Sequence, residues 1–124
     1  MFEALFRIVA LVESDEQGQC LFKVFKHREP ASRDAFSSLV TTVYQQEVYR
    51  MLQAGDTLTV AVHLNLSRRE IEKTMRFRED GHFEGDGVKV PTPDLLPIIS
   101  AMYEQLSQQA LGDVLTITFR VQRL

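Results

Sequence analysis

Apolar residues recur along this chain at two different spacings, and the change of spacing separates strands from helices. Every second residue is apolar in residues 57–66 and 113–124, which is typical of strands with one buried face. Spacings of three and four residues in 33–53, and again after Asp94, predict two helices that each bury one side. The chain therefore combines both kinds of element.

The same short pattern follows each predicted helix. Gly55-Asp56 ends the first helix and opens one alternating strand, and Gly112-Asp113 ends the second helix and opens the other. Glycine adopts the left-handed conformation at a helix end at little cost, so it is a natural stop signal. The recurrence predicts two similarly built halves whose closing strands lie in one sheet.

The remaining strands are predicted by local pattern. Residues 2–12 and 20–27 are rich in apolar residues and are separated by a polar turn, which predicts a hairpin. Residues 71–78 and 82–90 are favoured as strands joined by Asp80-Gly81. The run from Ser67 to Glu70 resembles a capping box, so a short helix is the alternative for the segment before Arg78.

The predicted order is β-β-α-β-β-β-α-β, in a single α+β domain spanning residues 1–124. We expect an antiparallel or mixed β-sheet with two helices on one face. Two plans fit this order. One is the ferredoxin-like plan, and the other is a duplicated β-β-α-β unit.

Composition changes this picture little. The chain has 124 residues, 44% of them hydrophobic, and a net charge of -3, which argues mildly against a nucleic-acid partner. Cys20 is the single cysteine, so an intramolecular disulfide is excluded. Residues 2–12 are too short to span a bilayer and predict a strand. We expect a cytoplasmic protein that needs no cofactor.

Residues 79–87 hold most of the residues that suggest chemistry. They include four carboxylates and a histidine, but the match to a calcium loop fails where the closing glutamate should stand, at Pro91. A ligand or metal site, or a small enzyme, lined by His63, His82 and Glu84 is the alternative function. No catalytic residue and no metal ligand set is predicted.

Basic residues cluster in residues 23–33 beside Phe22 and Phe25. Exposed aromatic rings next to basic side chains can stack on single-stranded RNA, so nucleic-acid binding is the second alternative. The strand lacks the glycine-aromatic-glycine run that RNA-recognition sheets carry, which makes this alternative the weaker one.

The leading hypothesis is a non-enzymatic protein-interaction or assembly domain, either a homodimer or a subunit of a larger assembly. Two helices cover only one face of a sheet, while residues 2–12 and 20–27 are apolar on both sides. The predicted interface residues are Leu5, Val9, Leu11, Leu21 and Phe25. Enzymatic activity is the less expected outcome.

Overall fold

The computed structural model describes residues 1–85, 88–90, 95–108 and 110–124, and for residues 88–90 it describes the backbone alone. The strands are β1 (Phe2–Ser14), β2 (Cys20–Val24), β3 (Thr57–Leu64), β4 (Arg69–Phe77), β5 (Phe83–Gly85), β6 (Val88–Val90) and β7 (Val114–Arg123). The helices are α1 (Arg33–Val43) and α2 (Leu96–Ser107). One π turn and one 3-10 turn extend α1 to Met51.

The described strands form one antiparallel sheet in the order β2-β1-β7-β3-β4-β5-β6. The α+β class, the antiparallel sheet and the two helices are therefore confirmed. The ferredoxin-like strand order is not confirmed. That plan would place β4, the strand that follows β3 along the chain, between β1 and β3 in the sheet. Here β7 occupies that position, and the tight turn after Leu64 leaves β4 only the other edge of β3.

Apart from β6 at one edge, the strand order is symmetric about the central pair, β7 and β3. β1 and β2 lie beyond β7, and β4 and β5 lie beyond β3. The segments β1-β2-α1-β3 and β4-β5-α2-β7 thus occupy corresponding places on either side of the centre. That the two halves are an internal repeat stays a prediction.

The structure confirms one of the two strands predicted between residues 71 and 90 and divides the other into two. Of the predicted strand 71–78, residues 71–77 belong to β4, which begins earlier, at Arg69, so the strand is confirmed there and the short-helix alternative is wrong. The single strand predicted over residues 82–90 is instead two short strands, β5 and β6, that pair with each other. Gly85 ends β5 at a φ of 135°, and an added Cβ would lie 2.7 Å from the Thr74 carbonyl oxygen. Only glycine fits this close approach, at the residue where β5 ends.

One face of the sheet carries the core. Opposed residues in antiparallel strands share a face, and the pairs Val60–Phe119 and Val62–Ile117 are fully buried on it. On the same face the ring of Phe36 in α1 stacks on Phe22 of β2, and the ring centroids are 4.1 Å apart. Phe36 also meets Tyr103 of α2 edge-on, at 5.4 Å. Both helices therefore cover one face.

The repeated aspartates fasten the two ends of the β3–β7 pair. Asp56, just before β3, is 1% exposed and accepts a hydrogen bond of 2.8 Å from Nε of Arg123 at the end of β7. Asp113, just before β7, accepts the backbone N–H groups of Leu66 and Ser67 beyond the end of β3, at 2.7 and 2.9 Å. Each carboxylate thus binds the far end of the neighbouring central strand.

These contacts favour the charged form of both carboxylates. The hydrogen bond from Arg123 lowers the pKa of Asp56 below its usual value, against the opposing effect of burial. Burial by itself would raise the pKa of Asp113, but the N–H groups of Leu66, Ser67 and Val114 outweigh it and lower that pKa. A carboxyl group with a depressed folded-state pKa stabilises the protein above its unfolded pKa, and this stabilisation is lost as pH falls.

We predict that Asp56→Asn lowers the free energy of unfolding by about 2 kcal/mol at pH 7, because it leaves the Arg123 charge unpaired. Urea unfolding monitored by circular dichroism measures the difference. The gap between wild type and variant should begin to narrow as the pH falls below about 4, where the carboxyl group is protonated in the unfolded chain, and should close once the pH falls below its depressed folded-state pKa. Glu16→Gln, at an exposed turn position, is the matched control and should change stability little. A gap that is equally wide at low pH contradicts the assignment.

Candidate functional site

The second face of the sheet has no described helix packed on it. Odd-numbered residues of β1 point to this face, because even-numbered residues such as Ile8 and Ala10 are buried on the core side. Leu5, Val9 and Leu11 therefore lie on the helix-free face. So does Leu21, which is paired with Glu13 of β1.

The structure gathers the predicted interface residues along β1 and β2. Phe25 follows directly after β2, where its N–H bonds to the carbonyl oxygen of Val9 at 2.8 Å. It is 70% exposed, and Leu5 is 44% exposed. The other members are half-buried. We call this set the β1–β2 patch: Leu5, Val9, Leu11, Leu21 and Phe25.

Small, uncharged side chains occupy part of the middle of the helix-free face, where Thr118 of β7 is paired with Ala61 of β3. Thr59 of β3 is paired with Arg120, which is charged and exposed. Thr59 is almost fully buried, and its hydroxyl lies 3.2 Å from that of Thr74 on β4. Because these side chains are short, another protein element can come close to the helix-free face here.

β1 is also left open along part of its length. β2 pairs with β1 only from Ala10 to Ser14, and the bond from Phe25 to Val9 is the last one on that side. On this side of residues 2–8 of β1, the described residues supply no paired strand. A shallow groove of about 320 Å³ runs beside this edge. It is lined by Arg7, Ile8, Val9, Val24, Phe25, Lys26, His27, Leu39 and Val43.

The three predicted ligand residues are not brought together. His63 of β3 is opposite Glu70, whereas Glu84 of β5 is opposite Arg76, six residues further along β4. That offset corresponds to about 20 Å at the rise of a strand. His82 lies beside Asp80 instead, with Nδ1 2.6 Å from Oδ2.

The pairing with His82 lowers the pKa of Asp80, through its backbone N–H first and its side chain second. A cavity of about 530 Å³ lies near this turn, and its described lining is Ala54, Gly55 and residues 76–80. His63, His82 and Glu84 are not among these residues. Within the described residues, no three His, Cys, Asp or Glu side chains are grouped so that they could hold a metal ion. The loop of residues 79–87 extends beyond the described part at 86 and 87.

The basic segment does not present two aromatic rings to solvent. Phe22 is 2% exposed and stacked in the core, so it is unavailable to a nucleobase. Phe25 is exposed, with Nζ of Lys26 5.8 Å from its ring centroid. One ring and a local cation form a much smaller platform than the stacked aromatic strands of RNA-binding sheets.

Cys20, at the start of β2, lies beside an ion pair between α1 and α2. Nη2 of Arg33 is 2.7 Å from Oε1 of Glu104, and a small cavity of about 80 Å³ adjoins both residues. Burial raises the pKa of the Cys20 thiol, and the charge of Arg33 opposes that rise only in part. The thiol is therefore a weaker nucleophile at neutral pH than a free cysteine.

Comparison with protein-family models, with curated proteins and with solved structures finds no match to this chain. Among the described helices, none has both the length and the apolar character that a membrane crossing requires. The functional assignment therefore depends on the geometry of the helix-free face and of the open edge of β1.

Sequence reasoning identified the apolar patch but missed the open edge. The missed residues are Glu3 and Arg7, two charges of opposite sign that lie at equal distances on either side of Leu5 in an otherwise apolar strand. This symmetric placement of the two charges is the sequence feature that could have indicated the open edge. Where β2 ends against β1 depends on pairing register, which alternation alone does not determine.

We predict that the two aromatic residues of the basic segment differ sharply in their contribution to stability. Phe22→Ala should lower the free energy of unfolding by about 3 to 5 kcal/mol, because it empties a core position stacked on Phe36. Phe25→Ala, its matched control, should change it by less than about 0.5 kcal/mol. Urea unfolding of both variants measures this, and equal losses would contradict the placement of Phe25 on the surface.

Proposed function

We propose that this chain is a non-enzymatic assembly domain that associates with a second copy of itself through the β1–β2 side of the sheet. One observation carries the proposal: the β1–β2 patch lies beside an unpaired strand edge on the face that the helices leave uncovered. Apolar side chains and free backbone groups that occur together at one place favour contact with another protein.

The surroundings of the patch suit protein contact better than catalysis. Phe25 keeps most of its apolar surface in water and Leu5 a little under half, and burial of such surface contributes about 25 cal/mol per Å². The short threonine side chains beside them allow a second sheet or strand to approach closely. Charged residues flank the apolar positions, namely Arg7 and Lys23 on β1 and β2, and Arg120 opposite Leu5 on β7. Polar rims around apolar centres are usual in protein interfaces.

Polar side chains elsewhere in the described residues give less support for a functional site than the β1–β2 patch does. Among the described residues, every buried side-chain nitrogen or oxygen has a hydrogen-bond partner. The buried carboxylates Asp56 and Asp113 are both occupied by structural contacts. A reactive centre usually holds a polar group poised in a cleft for substrate, and these groups already have partners within the fold.

Light scattering coupled to size-exclusion chromatography tests the proposal. We expect wild-type protein at high micromolar concentration to have a mass above the 14.2 kDa of one chain. Leu5→Lys should weaken association by about tenfold or more, because it adds charge to a surface that becomes buried. Leu111→Lys is the matched control, since Leu111 is 69% exposed at the turn before β7, at the opposite end of β1 from Leu5.

Leu111→Lys should associate as the wild type does. A wild-type protein that stays strictly monomeric at these concentrations contradicts the proposed function. Equal effects of the two lysine substitutions would show instead that any added charge disrupts association, and that the patch has no special part in it.

A further inference from the structure

We propose that two copies of this chain join edge to edge, with residues 2–8 of β1 pairing antiparallel with the same residues of a second copy, centred on Leu5. The two sheets then form one continuous sheet that carries all four helices on one face. This inference rests on the proposed function and specifies how the copies meet.

The open edge offers a regular set of backbone groups. In a strand, alternate residues direct their N–H and C=O groups to opposite sides. The carbonyl oxygen of Val9 faces β2, where it accepts from Phe25, whereas the backbone groups of Val12 face β7. By this alternation Glu3, Leu5 and Arg7 direct their N–H and C=O groups away from β7, at the open edge.

The length of the open edge determines its centre. β1 begins at Phe2, and Phe25 occupies the edge from Val9 onward. Pairing that uses the whole open stretch between these limits must have its twofold axis at Leu5. Leu5 then faces Leu5 of the second copy, and Glu3 faces Arg7 in a pair whose backbone groups exchange hydrogen bonds. About six main-chain hydrogen bonds result.

The charges are complementary in this register. Glu3 and Arg7 are both exposed on the helix-free face, and the twofold axis brings each opposite the other twice. Registers centred on residue 3 or residue 7 would instead place like charges opposite each other, which is destabilising. The charge pattern therefore favours the same register that the length of the edge favours.

The helix side of the edge is complementary in size. Ala4 lies opposite Phe6 of the second copy, and Phe2 lies opposite Ile8, so each large side chain meets a smaller one. The groove beside the edge is bordered by Leu39 and Val43 of α1, which are half-buried in the single chain. Apolar side chains of the second copy would cover them.

The outer edge of β2 is closed to the same kind of pairing. Ala31 exchanges two backbone hydrogen bonds with Phe22, of 2.7 and 2.8 Å, and Pro30 precedes it. Proline has no N–H group and is typical of protected sheet edges. On this side of the sheet, pairing with another strand is thus directed to residues 2–8.

Disulfide trapping tests the register. In a background where Cys20 is replaced by serine, Leu5→Cys should form a linked dimer under mild oxidation, since opposed residues of a bonded pair have Cα atoms about 5.5 Å apart. Glu3→Cys and Arg7→Cys should each fail to link alone and should link when mixed. Leu11→Cys, on the same face but beside β2, is the matched control and should not link.

Charge reversal tests the contact without a covalent bond. Glu3→Arg and Arg7→Glu should each weaken dimerisation by about tenfold or more, because like charges then face each other twice. A mixture of the two variants should associate about as tightly as wild type, since both pairs become complementary. Glu72→Lys, an exposed reversal on β4, is the control and should leave the dissociation constant unchanged. Circular dichroism and urea unfolding confirm that each variant is folded.

The outcomes separate the two proposals. A monomeric wild type overturns both. A wild-type oligomer in which Leu5→Cys fails to link, and in which mixing fails to restore association, overturns the edge-to-edge pairing and leaves the assembly function standing. Linking of Glu3→Cys to itself, or of Arg7→Cys to itself, overturns the register centred on Leu5.

Discussion

The packing of both helices on one face of the sheet determines which surfaces of this molecule are buried and which face is left for contact with a partner. Phe36 joins the two helices to each other and to β2, and the central strands β3 and β7 bury their apolar residues against them. Asp56 and Asp113 fasten the central pair at both ends. Because all of this occurs on one side, the other side of the sheet is left to water or to a partner.

Much of the fold was predictable because its signals are local. Strict alternation in β3 and β7 indicates one buried face. Gly55 and Gly112 adopt positive φ, but they lie in the turns before β3 and β7, because the helical segments already end at Met51 and Ser107. Strand order was less accessible. The choice between ferredoxin-like and duplicated plans depends on which edge of β3 receives β4, and no local pattern encodes that. The split of the strand predicted over residues 82–90 was likewise inaccessible, since the tight fit at Gly85 is set by the distant Thr74 carbonyl.

The candidate site was predicted in part, for a related physical reason. Apolar residues on both sides of β1 indicated an uncovered surface, and the structure places Leu5, Val9 and Leu11 on the helix-free face. The alternative site near residues 79–87 required His63, His82 and Glu84 to lie together, and the pairing register separates His63 from Glu84. The open edge could not be predicted from the sequence, because it exists only where β2 no longer runs beside β1, in the residues before Val9. Contact between elements, rather than composition, creates this surface.

Residue-resolved hydrogen exchange of the wild-type protein across a dilution series shows whether a second copy closes the open edge of β1. At low concentration we expect protected amides at Ala4, Phe6 and Ile8, which face β7, alternating with fast exchange at Glu3, Leu5 and Arg7. As concentration rises, the three fast amides should become protected while the others stay unchanged. Fast exchange at these three positions that is independent of concentration, or protection there at every dilution, would contradict an open edge that a second copy closes.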